Sequence, residues 1–318
     1  MNGFRQETFS AMGTSCAVGV TAGPADRRRA RRALAAALEE TARCERALSR
    51  FDPRSDLTRL NAAAGSWVRV DARLLEALRL AVRLREATGG RFDPTVLPAL
   101  VAAGYDRTFT ELEPRPPRRA PGWRAGAAVD LDPAAGAARV AAGGAVDLGG
   151  IGKGFSATRA LWAMREAWPA LPGALVDLGG DVALWGATAD GGPWRVAIAD
   201  PRRPGELLGT LGLTGGGIAT SGRDRRRFGP RRSLHHLIDP VTGAPAGAGP
   251  LAVTVVAPDA AEAEGHATAL AISDLETTRS HLAAHPELAA LVVPAEGEPV
   301  PLGRLPLLAR ELRIRVAR

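Results

Sequence analysis

Residues 111–127, ELEPRPPRRAPGWRAGA, divide the sequence into two stretches of different texture. Proline and arginine at this density continue neither a helix nor a sheet ladder, so the segment reads as an exposed loop or a junction between subdomains. Before it, from Pro24 to Arg50, Ala30, Ala33, Leu34, Ala37, Leu38, Ala47 and Leu48 recur at three- and four-residue spacing, the period of an amphipathic helix. A second helix is expected after Asp71, a capping residue, with Leu74, Leu75, Leu78, Ala81 and Val82 facing inward and Thr88-Gly89-Gly90 ending it. Asp93-Pro94 offers a further cap with proline in the first turn, for a short helix reaching Ala103.

After the loop, short apolar runs bounded by glycine and proline dominate. Ala145–Leu148, Ala174–Leu178, Val182–Trp185, Trp194–Ala199, Leu207–Leu213 and Leu251–Ala257 read as strands, interrupted by helices near Ser156–Trp168 and Ala260–Ile272. Strand and helix do not alternate strictly, so the expected class is α+β, with mixed helix and sheet, rather than a doubly wound sheet. One unit spanning 1–318 is expected, with a helix-rich part over 1–110 and a sheet-rich part over 128–318. Aromatic residues are only 4% of the chain against 46% apolar, so Ala, Leu and Val must build the core by close packing.

Several function classes fall away. No stretch approaches the roughly 18–20 apolar residues of a membrane-spanning helix, so no integral membrane segment is expected. The start, MNGFRQETFSAMGTSCAVGV, lacks a basic leader and an apolar run, and Gly13, Thr14 and Ser15 before Cys16 do not make a lipid-anchor site. The chain thus reads as cytoplasmic, or as one trimmed of a leader. Cys16 and Cys44 are too few for a disulfide scaffold and read as buried free thiols. The net charge of +7, 41 basic against 34 acidic residues, is carried by arginine apart from Lys153. That skew follows composition bias, and runs such as Arg27–Arg32 and Arg223–Arg227 read as solvated faces, so no nucleic-acid partner is expected.

Three segments carry chemistry. Ala145-Val-Asp-Leu-Gly-Gly-Ile-Gly-Lys-Gly-Phe-Ser156 runs through glycines into a helix start, where backbone amides favour an anionic ligand. It meets neither the Walker spacing nor, beyond a forced Gly152-x-Gly154-x-x-Ala157, the dinucleotide fingerprint. The single ammonium, Lys153, lies inside this turn and suits a phosphate or a carbonyl. His235 and His236 precede the turn Asp239-Pro-Val-Thr-Gly243, and in an extended segment only one of them faces a given site. Glu264 and Thr268, four apart on one helix, present a carboxylate and a hydroxyl to a hard cation such as magnesium.

These segments resemble the ApbE family of FAD:protein FMN transferases. The resemblance runs through Ala11-Met-Gly-Thr14, Arg50-Phe-Asp-Pro-Arg-Ser-Asp-Leu-Thr-Arg-Leu-Asn61, Gly90-Arg-Phe-Asp-Pro-Thr95, Asp147-Leu-Gly-Gly-Ile-Gly-Lys-Gly, Leu175-Val-Asp-Leu-Gly-Gly-Asp181, Ala219-Thr-Ser-Gly222, His236-Leu-Ile-Asp-Pro-Val-Thr-Gly243, Val253-Thr-Val-Val and Ala267-Thr-Ala-Leu270. It implies a mixed fold with FAD and Mg²⁺ bound between two intimate subdomains. It also implies transfer of FMN from FAD to a Ser or Thr hydroxyl of an acceptor flavoprotein, with AMP released. By resemblance, Gly150 (carbonyl), Glu264 and Thr268 ligate the metal. FAD contacts come from Met12, Phe51, Arg91, Phe92, Asp93, Asp147, Lys153 and Leu237, and His236 activates the acceptor hydroxyl. Glu264 stands where the family usually has aspartate, Phe51 where tyrosine is common, and Arg223-Asp-Arg-Arg-Arg-Phe228 where Asp-Tyr is frequent. Hydrolysis of FAD to FMN and AMP is the alternative within the enzyme class; a non-enzymatic flavin-delivery protein is the alternative outside it.

Overall fold

The computed structural model describes residues 3–247 and 249–308, so both ends of the expected 1–318 unit lie outside the described residues. Eight strands form one sheet. Gly3–Ala11, Thr14–Ala22, Gly173–Leu178, Asp181–Gly186, Gly215–Gly222, Ala252–Ala257, Ala289–Val293 and Val300–Leu302 lie side by side in chain order, each antiparallel to its neighbours. The helices α1 (Arg27–Leu48), α2 (Asp56–Ala62), α3 (Ala72–Ala87), α4 (Leu97–Ala102) and α5 (Gly152–Ala167) are inserted between the second and third strands. Helices α6 (Ala260–Leu270) and α7 (Leu275–Ala284) connect the sixth strand to the seventh. An antiparallel sheet with its helices gathered on one face is the expected α+β class.

The alternation of side chains along the strands decides which layer covers which face. Ala183 packs with Val18, Val176, Ala157 and Leu161 beneath α1 and α5, whereas Val182 and Leu184 turn to the other side. There they meet a separate hairpin, Trp194–Ala199 paired with Leu207–Leu213. Small side chains let the layers approach closely. A Cβ on Gly154 of α5 would lie 2.1 Å from the Ala260 carbonyl oxygen, and one on Gly217 would lie 2.1 Å from the Ala260 amide nitrogen. Glycine at both positions therefore lets the start of α6 rest on helix and sheet at once.

Several sequence expectations are corrected. Ala145–Leu148 joins no ladder, because other groups take its backbone bonds. The Asn61 side chain accepts from Val146 N and donates to its carbonyl, both at 2.8 Å, and Asp147 N donates to the Pro94 carbonyl at 2.7 Å. Helix α5 begins at Gly152 rather than near Ser156, which puts Lys153 in its first turn. Asp71 caps α3 as expected, but Asp93 caps no helix. Its Oδ1 accepts from Thr95 N and Oγ1 at 2.8 and 2.7 Å and its Oδ2 from Gly126 N at 2.7 Å, so it fastens the 111–127 loop beneath the glycine turn. The strands at 3–11, 14–22, 215–222 and 289–293 were not expected.

Candidate active site

The first turn of α5, the face of α6 that meets it, and the turn after Leu178 converge on Lys153. Its ammonium pairs with Asp181, at the start of a strand, and with Glu264 of α6. Both carboxylates are 3% exposed, so water screens neither charge. The second Glu264 oxygen, Oε2, accepts from Gly154 N at 2.8 Å. The anion at the helix start is therefore the protein's own glutamate, where the glycine turn alone suggested a ligand phosphate.

Two carboxylates against one ammonium leave the cluster one negative charge in excess. Burial, then the neighbouring Asp181, push the Glu264 carboxyl up to about 7. Burial alone would lower Lys153, but Asp181 and Glu264 hold its ammonium above the ordinary range. Lysine has three donors and two are engaged here, so one remains for a further oxygen.

One turn along α6, Thr268 Oγ1 donates to the Gly150 carbonyl at 3.2 Å and lies 3.4 Å from Ser221 Oγ. A Cβ at Gly150 would come within 3.1 Å of Thr268 Oγ1 and of Phe92 Cε2, so glycine is needed for this approach. Carbonyl, carboxylate and hydroxyl thus lie along one edge of the α5–α6 contact. All three are hard oxygen donors, and with the excess negative charge they fit Mg²⁺ in type and sign.

His236 lies on the chain leading to the 239–243 turn, with its Nδ1 buried and without a hydrogen-bond partner. Burial, with Arg226, His235 and Lys153 nearby, pushes its imidazolium down to about 3, so the ring is neutral at physiological pH. His235 is anchored at Nε2, 2.9 Å from the Ala246 carbonyl, although its Nδ1 is likewise buried without a partner. Leu237 is buried against Ala263, Ala267 and Leu270 of α6.

The remaining expected contacts divide. Phe51 is 41% exposed, with the Arg50 guanidinium 4.1 Å from its ring centroid, an open aromatic face for a heterocycle. Arg50 Nε also reaches Asp147 at 3.2 Å. Met12 holds a left-handed φ of 52° beside Gly13 at 70°, the pair a tight two-residue hairpin requires, and Met12 N donates to Glu45 at 2.6 Å. Phe92 and Asp93 are buried supports of the glycine turn. Arg91 instead lines a cavity of about 390 Å³ with Thr88, Asp274 and His281, none of whose lining residues is Lys153, Glu264 or Thr268. Asp181 was missing from the expected site set. Its signal in the sequence is the acid that follows the second Asp-Leu-Gly-Gly string.

The ApbE family model matches residues 12–292. The chain belongs to the ApbE family. It is 34% identical over 261 residues to the FAD:protein FMN transferase of Treponema pallidum, covering 75% of this chain and 70% of that protein. The match to the enzyme of the same name from Salmonella typhimurium is 35% identical but covers 48% of this chain and 43% of that one. Among solved structures, the ApbE protein of Thermotoga maritima superposes with a TM-score of 0.81 at 28% identity, covering 94% of this chain and 97% of that one. The Pseudomonas stutzeri flavinyl transferase ApbE, at 24% identity and a TM-score of 0.76, shares the fold. Membership of this transferase family makes the chain an enzyme, and the Lys153 cluster is its candidate active centre.

Proposed function

We propose that this ApbE chain is a magnesium-dependent FAD:protein FMN transferase acting as a single catalytic unit. FMN passes from FAD to a Ser or Thr hydroxyl of an acceptor flavoprotein, and AMP leaves. The observation that carries the reading is the buried Lys153–Asp181–Glu264 cluster, negatively charged in sum and adjoining the Gly150 carbonyl and Thr268. Gly150, Glu264 and Thr268 are the residues that would hold Mg²⁺, which supplies charge stabilisation to the departing phosphate.

In this reading Phe51 stacks against a ring of FAD, and Met12, Phe92, Asp93, Asp147 and Leu237 shape or support its pocket, with Arg91 left on the neighbouring cavity. The third Lys153 donor meets a diphosphate oxygen. His236 takes the proton from the acceptor hydroxyl while that oxygen bonds to the FMN phosphorus and the bridging P–O bond breaks, the electron pair leaving with AMP. A neutral imidazole is the required starting form, and an incoming diphosphate raises its basicity by opposing the charges of Arg226 and Lys153.

Incubation with FAD, Mg²⁺ and a Ser/Thr acceptor protein, followed by mass spectrometry, tests the proposal. AMP together with an FMN-modified acceptor is expected. AMP with unmodified acceptor would make the enzyme a hydrolase, and neither product would overturn the reading.

A further inference from the structure

Helix α6 carries two i, i+4 pairs. Glu264 and Thr268 face α5, whereas Glu262 and His266, two positions out of phase and so about 200° round the helix, lie on the far side. There three of the five histidines meet. The ring centroids of His266, His281 and His285 are 5.0, 5.4 and 4.5 Å apart pairwise. We propose that these three imidazoles form a second metal site, for a borderline transition cation of the Zn²⁺ class, separate from the oxygen-lined face of the same helix.

Carboxylates flank two of the three rings, as in a metal site's outer shell. His266 Nε2 lies 3.5 Å from Glu262 Oε2, which leaves its Nδ1 facing His281 Nε2 at 2.9 Å. His285 Nδ1 lies 3.3 Å from Glu287 Oε1, which leaves its Nε2 uncommitted. A carboxylate on one ring nitrogen with the other turned inward is the usual carboxylate–histidine–metal arrangement. His281 lies in the last turn of α7 and His285 is its C-cap residue, and their ring centroids are 4.5 Å apart. His281 lines the open 390 Å³ cavity, which provides a route of entry.

The required change is small. With its proton on the nitrogen beside Glu262, His266 accepts at Nδ1 and His281 donates from Nε2. Coordination needs His281 to carry its proton on Nδ1 instead, with no net charge transferred. Metal–nitrogen bonds of about 2.0–2.1 Å in tetrahedral geometry ask the facing nitrogens to open to roughly 3.3 Å. Among the described residues no three such side chains already gather around one point, so the third ligand comes from rotation of the His285 ring, whose side chain is 25% exposed. Imidazole favours Zn²⁺, Ni²⁺ or Cu²⁺ over Mg²⁺, so the two faces of α6 select different ions.

The test uses the full chain without an added histidine tag, stripped with chelator and kept in excess Mg²⁺, and titrated calorimetrically with ZnCl₂ and spectroscopically with Co²⁺. One tightly bound Zn²⁺ per chain and a Co²⁺ spectrum of nitrogen ligation are expected. The double variant His281→Ala/His285→Ala should bind at least about 100-fold more weakly, and Glu264→Ala should bind Zn²⁺ as the parent does. If the double variant does not fold by circular dichroism, His285→Gln alone carries the comparison, with at least about tenfold weaker binding expected. No saturable Zn²⁺ binding in Mg²⁺, or equal binding by the folded variants, overturns the site.

Discussion

Two buried glutamates along α5 titrate in opposite directions. Glu40 of α1 receives Arg73 Nη2 at 2.7 Å and Arg159 Nε at 2.9 Å, and Arg159 also reaches Glu76 at 2.7 Å. Burial alone would raise Glu40, but the two guanidinium groups hold it below its ordinary value. Six residues before Arg159 on the same helix, Lys153 is the one cation shared by Asp181 and Glu264, and there the Glu264 carboxyl moves up to about 7. In the first network two guanidinium groups converge on one buried carboxylate, with Asp71 and Glu76 at its more exposed edge, and together they fasten α1, α3 and α5. The second is short of a cation, and a buried carboxylate left at that deficit is poised to take one up.

Variants of the unbalanced network should give the largest effects. Glu264→Ala is expected to remove metal-dependent FAD cleavage by about a thousandfold or more, because the charge stabilising the leaving phosphate loses its anchor. Steady-state AMP release across a magnesium titration measures this, and near-normal turnover would remove Glu264 from the centre. Asp181→Asn sharpens the contrast. It restores one-to-one pairing with Lys153, so Glu264 should titrate nearer the ordinary carboxylate range and the magnesium requirement should rise.

His236→Ala is next, with an expected loss of about 10²–10⁴ in transfer rate and little change in FAD affinity. Flavin fluorescence gives the affinity and single-turnover AMP release gives the rate. A parallel loss of both would make His236 a binding residue.

The Glu40 network should answer in stability rather than in chemistry. Glu40→Ala removes the acceptor that Arg73 and Arg159 share, leaving them Asp71 and Glu76, and should cost about 1–3 kcal/mol. Denaturant unfolding checks the number. A folded Glu40→Ala protein should keep its magnesium dependence, and loss of that dependence would merge the two networks into one.

How much of this was legible in sequence follows from range. Period and capping signalled α3 at Asp71 and most of α1, because those signals are local. The strand Gly215–Gly222 was missed because its glycines answer to α6, forty residues later, and not to strand propensity. Asp93 looked like a cap because nothing nearby in sequence reveals Gly126 as its partner. At the site, Glu264 and Thr268 were visible from helical spacing, and Lys153 from being the sole lysine. What no local pattern supplies is that Asp181 and Glu264 share that lysine, since their association exists only once sheet and helices are packed.

The last prediction concerns pH, where the two glutamates should act with opposite sign. Glu40 is held below its ordinary value of 4.5, so its stabilising contribution is present above that pH and is lost as pH falls through the lowered value. Glu264 is raised to about 7 from 4.5, so between these values the folded protein keeps a proton that the unfolded chain has released. Stability of the metal-free enzyme should therefore fall as pH rises through that window, by about 1–3 kcal/mol in all. Buried His235, His236 and His281, all lowered from 6.5, push the total the other way over most of the window, because the unfolded chain protonates them more readily below about pH 6.5. The difference between the parent and Glu264→Gln, measured by denaturant unfolding at each pH, cancels the histidines and isolates the glutamate. That difference should slope downward from about pH 4.5 to 7 without metal. Saturating Mg²⁺ should reverse it, since a cation that needs the carboxylate binds more strongly as the proton leaves. A flat difference curve would mean that Lys153 alone balances Glu264, and the contrast between the two networks would vanish.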